Sequence, residues 1–420
     1  MCVNHCFEKT LYYNSPGHGG WGIIRVAALI PESHLLFICP SACFRHGSLG
    51  AVQHGYKDKT SYLYITPADV IAGYDAVIEE GAEELLERDP DIKVLFLFAA
   101  CIDDFIGTDM EAIARQIEEK HPGLVVRVCH MNPIAADTSK PPLVTVYQSM
   151  LSTIPVAAKE KENAVNLLGK FVPIAEECEM HEFFTFHGIS KVRQIANYDR
   201  YEDFCEMGTS KYNLVISPAA RFTADYMDKT YDTVSAFTAI SYDLEEIRKN
   251  YEHIEESLFA EQNQKFDFTQ IEKRAKEAIQ SAVEKLKNIP IVVSDSAVLR
   301  PFSLAKALIS YGFTVKEVVA QAAVSVDKEA YEEFLKTYPD IEIIQPLHHR
   351  SAIREKAGEG MVAIGFEGAY LRQCDYVVDL SDDEGMYGYY GVIRLMNMLE
   401  QSITEKADLR KMIEEYGAVV

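Results

Sequence analysis

Cys39, Cys43 and Cys101 are the residues whose type and placement could do chemistry. Cys39 and Cys43 lie in the run Ile38-Cys39-Pro40-Ser41-Ala42-Cys43, and Cys101 opens the run Cys101-Ile102-Asp103-Asp104. Each follows an apolar stretch, Leu35 to Ile38 and Val94 to Ala100. If those stretches are parallel strands, the thiols meet at the carboxyl edge of one sheet, where open α/β folds bind ligands. Thiolates converging there point first to an iron–sulfur cluster or zinc, because soft ligands suit both. Pro40 disfavours helix at the residue before it, so a turn is expected to carry Cys39 and Cys43. A single free cysteine is more often a small buried hydrophobe. Three at strand ends favour a metal centre, since core cysteines need not gather at a ligand-binding edge. Three ligands leave one position, to be completed by another residue, a second chain or substrate.

Other residues near these runs have two readings each. Cys2, His5 and Cys6 form a second cluster that either supplies the missing ligand, with Cys6 as candidate, or belongs to a frayed terminus. His18 sits in Pro16-Gly17-His18-Gly19-Gly20, where the glycines fit a turn or a close backbone approach. Arg45 and His46 follow Cys43. An Arg there could anchor an anionic substrate and a His could deliver protons; the plainer reading is a surface pair at the start of a helix. Asp103, Asp104 and Asp109 crowd the segment after Cys101, and Asp109 suits a helix N-terminus. Cys129-His130 ends a further strand and could reach the same cavity. Cys178, Cys205 and Cys374 read as packing residues. The chain has no Walker A pattern, no His-Glu-x-x-His and no Gly-x-Ser-x-Gly. Its Gly17–Gly22 segment does not follow a strand, as a dinucleotide fingerprint must.

The elements that would position the thiols alternate strand and helix, which implies parallel sheets. Thr66-Pro67 is a cap followed by proline at the first helical position, and predicts a helix to about Arg88. Ile92 to Ala99 reads as a buried strand. Thr108-Asp109-Met110-Glu111 reads as a capping box, and Leu124 to Val128 as a strand. Further strands are expected at 164–168, 192–195 and 213–216. A long charged helical region is expected over 242–288, interrupted within 257–268. Strands then recur at 291–293, 314–319, 341–344, 361–364 and 376–380. The expected fold class is α/β: three Rossmann-like domains, each a mostly parallel sheet flanked by helices, at residues 1–155, 156–288 and 289–420.

Composition sets outer limits. The 420 residues are 48% hydrophobic, enough for large cores, and 41 basic against 64 acidic residues give a formal net charge of -23. That balance disfavours nucleic acid or an anionic membrane as partner. It suits docking to a basic protein surface, or plain solubility. No apolar run approaches the ~20 residues of a membrane span, and no secretory leader is visible. A cytoplasmic protein with reduced cysteines is expected, and nine cysteines at irregular spacing argue against a disulfide framework.

With these residues in view, the sequence resembles the nitrogenase component 1 superfamily: nitrogenase molybdenum–iron protein subunits, their cofactor-assembly homologues and dark-operative protochlorophyllide reductase subunits. The run from Cys101 to Asp109 resembles the family's cysteine and the helix entry after it. Pro40-Ser41-Ala42-Cys43 resembles its second cluster-ligand turn. Asn213 to Arg221 is similar to the strand–turn of its second domain, Ala297 to Leu308 to the opening of its third, and Gly388 to Val392 to its closing helix. The resemblance implies a [4Fe–4S]-type cluster held by Cys43 and Cys101, with Cys39 or Cys6 completing the set. It implies electrons from an ATP-dependent iron-protein reductase, and a homodimer or a heterodimer with a related component 1 subunit. Ser217-Pro218 stands where the catalytic nitrogenase subunit carries a cofactor-binding cysteine, and no counterpart of its cofactor histidine is visible. Both departures argue against a molybdenum–iron cofactor. Three readings follow: an electron-transfer or reductase subunit, a scaffold for metal-cluster assembly, or a metal-free small-ligand binding protein of the same fold.

Overall fold

The computed structural model describes residue 13 and residues 26–53, 55–132, 140–156, 160–262, 264–353 and 355–415. Continuous apolar runs form interior strands such as Val94–Ala100, as parallel sheets covered on both faces require. The first sheet contains β1 (Ser33–Cys39), β2 (Thr60–Tyr64), β3 (Val94–Ala100) and β4 (Val125–Met131), in the order β2-β1-β3-β4. The second contains β5 (Glu162–Leu168), β6 (Lys191–Gln194), β7 (Ser210–Val215) and β8 (Val234–Phe237), in the order β6-β5-β7-β8. The third contains β9 (Ile291–Ser294), β10 (Val315–Val319), β11 (Glu342–Ile344), β12 (Val362–Ile364) and β13 (Tyr376–Val378), in the order β11-β10-β9-β12-β13. Every strand pair is parallel. The expected α/β class with three parallel sheets is therefore the observed one.

The chain forms two compact units. One holds residues 20–171 and 190–237, with the first and second sheets; the other holds 172–189 and 238 onward, with the third. In the first unit, alternate residues of a strand face opposite sides. Leu35, Phe37, Phe96 and Phe98 join one core, which also takes in Tyr147 and Met150 of the helix Pro142–Leu151 and Leu168 and Val215 of the second sheet. Leu36, Ile38, Leu95 and Leu97 join the other, against Ile78, Ala82 and Leu85 of the helix Asp75–Arg88. Cys39 belongs to the Phe37 face.

Several local expectations change. The helix after Thr66 is two helices, Pro67–Ala72 and Asp75–Arg88, parted at Gly73 with φ 86. Thr66 does form a capping box, with Asp69 as its partner. The cap of the helix Met110–Lys120 is Asp109, not Thr108; its side chain accepts from the Ala112 amide. The charged helical region divides as expected, into Leu244–Leu258 and Thr269–Lys285. Among the described residues, no helix is long and apolar enough to cross a membrane.

In the second unit, residues 172–189 are fastened by one buried carboxylate. Glu179 accepts from the Tyr251 hydroxyl at 2.9 Å and from the Tyr389 and Tyr390 amides at 2.6 and 3.0 Å. It thereby caps the helix Gly388–Ser402, whose positive end favours an anion.

Candidate thiol pocket and relatives

Strand β1 ends at Cys39. Pro40 has no N–H to extend the ladder, and the helix Ser41–Gln53 begins at the next residue. Cys43 stands in that helix's first turn, with its amide donating to Pro40 O at 3.1 Å. The expected open turn is thus a direct strand-to-helix step, because proline restricts the residue before it but is tolerated where a helix starts. The second step is similar: β3 ends at Ala100 and Cys101 opens the helix Cys101–Ile106. Gly107 stops that helix in the left-handed conformation at φ 75, which glycine adopts without steric cost.

Strands β1 and β3 are adjacent, with Ile38 opposite Ala99. The two βα steps therefore lie side by side at the carboxyl edge. Cys39, Cys43 and Cys101 line one pocket of about 60 Å³, with Phe37, Phe98 and Met131. Phe37 and Phe98 stack beneath it at 4.5 Å. The pocket is apolar, apart from its thiols.

Burial dominates the electrostatics. It pushes the Cys39 thiol up to about 12, with the charges of Cys43 and Asp103 adding to the effect. Burial, then the charge of Cys101, raises Cys43. At neutral pH the metal-free thiols at 39 and 43 keep their protons, so a metal must displace protons to bind. Asp103, beyond the sequence expectation for this loop, is buried at 1% exposure. Its Oδ1 accepts from the Tyr74 hydroxyl, to which Thr108 Oγ1 donates at 3.2 Å. Asp103 Oδ2 has no hydrogen-bond partner among the described residues, and burial raises the carboxyl above its ordinary range. Nearby, Asp104 engages His130 Nδ1 at 3.1 Å and accepts from Asn132 Nδ2 at 2.8 Å.

The remaining candidates fall elsewhere. Arg45 is exposed on the helix that carries Cys43, and His46 is the next residue of that helix. Cys129 is buried within β4, where burial raises its thiol strongly, and it does not line the pocket. Cys178, Cys205 and Cys374 are buried. Cys6, with Cys2, His5 and His18, lies outside the described residues. Among the described residues, no three His, Cys, Asp or Glu side chains close around a single ion. A polynuclear cluster spreads its thiolates over several irons, so its ligands need not converge on one point. The donor set and the apolar wall fit such a group. Phe37, Phe98 and Met131 have no distinguishing sequence signal; only strand register places them.

Three parallel sheets flanked by helices, with three cysteines gathered at the carboxyl edge of the first, define an α/β protein. A sequence model of nitrogenase component 1 type oxidoreductases matches residues 20–404, and the chain belongs to that family. It is similar to the nitrogenase iron-molybdenum cofactor biosynthesis protein NifE of Clostridium pasteurianum, 24% identical over 188 residues, 44% of this chain and 40% of that protein. The match thus spans well under half of that relative's length. Among solved structures, nitrogenase Cp1 at pH 6.5 superposes with a TM-score of 0.70 at 14% identity, covering 96% of this chain and 95% of that one. Nitrogenase Cp1 at pH 5 gives 0.58 at 14% identity, covering 96% and 91%. At that identity the likeness speaks for the fold alone.

Proposed function

We propose that the chain is a nitrogenase-like component 1 subunit that holds an iron–sulfur cluster, of [4Fe–4S] type, at the pocket of Cys39, Cys43 and Cys101. The observation that carries this reading is the meeting of three thiols from two adjacent βα steps at one apolar pocket. When bound, a cluster supplies one-electron redox chemistry. Cys43 and Cys101 bind it through sulfur, and Cys39 or Cys6 completes the set. Phe37, Phe98 and Met131 keep water from one side. Tyr74 and Thr108 hold Asp103 in place behind the thiols.

In this reading an ATP-dependent iron-protein reductase delivers the electrons, and the chain pairs with itself or with a related component 1 subunit. Exposed apolar side chains support a partner surface: Val52 on the helix that follows Cys39, Phe105 and Ile106 on the helix that opens at Cys101. Surface patches of this kind mark interaction sites. The test is iron content after anaerobic purification. Cys43→Ala and Cys101→Ala should each lose most of the iron, while Cys129→Ala keeps it. Full iron in both pocket variants would refute the assignment.

The local similarity to a cofactor biosynthesis protein favours a second reading, in which the same thiols carry a cluster in transit. Transfer of iron and sulfide from the loaded chain to an apo-acceptor, without electron turnover, would select it. Retention of the cluster in the presence of acceptor would select the electron-transfer role.

A further inference from the structure

In the second unit, one buried histidine holds down the segment that connects the helices Leu244–Leu258 and Thr269–Lys285. His187 caps the carboxyl end of the helix Glu179–Phe186, with its amide donating to Phe183 O at 3.3 Å. Its side chain has no exposed surface. Nδ1 lies 2.9 Å from Gln262 Oε1, and Nε2 lies 3.3 Å from Glu255 Oε1. Gln262 Nε2 donates to His187 O at 3.1 Å. That bond fixes which way the amide points, so its oxygen, an acceptor only, faces Nδ1. Glu255 Oε1 also accepts from the Phe266 amide at 3.0 Å. An acceptor therefore faces Nε2 as well.

A neutral imidazole has a single N–H and satisfies only one of these acceptors. Its other nitrogen would turn a lone pair toward oxygen inside the core. The doubly protonated ring satisfies both. Two further contacts favour a positive charge. The ring stacks on Phe259 at 4.5 Å and 4°, and an aromatic face attracts a cation. It also stands at the negative end of a helix. Phe183 and Phe186 pack against it edge-on, at 4.8 and 5.0 Å. Among the described residues, Glu255 is the charged group that touches the ring. Glu182 on the first helix, Glu252 and Glu256 on the second, and Glu261, Lys265 and Asp267 on the connecting segment are exposed. Glu179 is turned to Tyr251 instead.

We propose that His187 is a pH-sensitive clasp. With two ring protons it ties Gln262 and Glu255, and through Glu255 the Phe266 amide, to the end of the helix Glu179–Phe186. Loss of the Nε2 proton to water opens the clasp. The neutral ring then sets its Nε2 lone pair against a largely buried carboxylate, and an unpaired buried carboxylate is costly. Glu255 turns outward, and the Phe266 amide loses its acceptor. Phe266 packs on Phe183 at 5.9 Å and on Phe268 at 4.9 Å, so release reaches the aromatic cluster around Tyr251. The sign follows from linkage. The folded chain holds a proton that the unfolded chain gives up first as pH rises, so the clasp stabilises at low pH and is lost at high pH. No thiol of the first sheet takes part, and the cluster reading neither supports nor needs this device.

The experiment is nuclear magnetic resonance on the full chain from pH 6 to pH 9, reading the nitrogen-15 signals of the histidine rings and the exchange of the Phe266 amide. The His187 signals are those missing from His187→Gln; if that variant does not fold, the ring signals that Glu255→Gln shifts identify them. At pH 7.5, where an unperturbed imidazole is neutral, both His187 nitrogens should still carry protons. One proton should be lost by pH 9, and the protection factor of the Phe266 amide should fall at least tenfold with it. In Glu255→Gln that protection should no longer follow the ring. The proposal fails if the His187 ring is neutral at pH 7.5 or keeps one charge state across the range. It also fails if Phe266 protection stays constant while the ring titrates, or falls equally in Glu255→Gln.

Discussion

At the scale of the residue, burial sets the chemistry. His34 is 2% exposed in β1, with Nε2 2.9 Å from Ser61 Oγ. Burial, and then the charge of Arg88, lowers its pKa from 6.5 to about 4. Above pH 6.5 the ring is neutral both folded and unfolded, so it has no effect on stability. Between pH 6.5 and 4 the unfolded chain takes up the proton first, and stability falls as pH falls. Denaturant unfolding at pH 7 and pH 4 should show a loss of up to about 3 kcal/mol from this residue. His34→Gln should remove that part of the slope; an unchanged pH profile in the variant would contradict it. The gathering of the three pocket thiols was legible from residue type and position, since Cys39 and Cys101 stand at the ends of apolar runs and Cys43 follows four residues after Cys39. Asp103 and Tyr74 were not, because their partnership joins residues 29 apart through a fold-dependent contact.

At the scale of the element, caps and close approaches decide stability. Glu179 satisfies two helix amides and a tyrosine hydroxyl, so Glu179→Ala leaves three donors, two of them buried, without this acceptor. A loss of roughly 3 kcal/mol is expected from the desolvation cost of such groups, read by denaturant unfolding. Gly388 has φ 56, and a Cβ there would stand 2.0 Å from Glu179 Oε1. Gly388→Ala should therefore cost about 3 kcal/mol or more, through strain and displacement of the cap. A variant as stable as the parent would contradict the role given to this carboxylate. Interior strands such as β3 and β9 were readable as continuous apolar runs. The edge strands β2 (Thr60–Tyr64) and β8 (Val234–Phe237) lay outside the sequence reading. Both are partly exposed, and a strand covered on fewer sides lacks an apolar run. No local pattern announces Glu179 either, since the amides it caps lie 210 and 211 residues away.

At the scale of the whole molecule, the three parallel sheets followed from strand–helix alternation, and membership of the component 1 family agrees with the motif order. The path by which residues 172–189 join the third sheet's unit had no sequence signal. The central claim is a cluster at the first sheet's carboxyl edge, and one measurement tests it most directly. Iron and acid-labile sulfide are determined on anaerobically purified protein, with electron paramagnetic resonance after dithionite reduction. About four irons and four sulfides per cluster, with a reduced-cluster signal lost in Cys43→Ala and Cys101→Ala, is the predicted result. Protein that binds no iron, or keeps its full signal in both variants, would contradict the account.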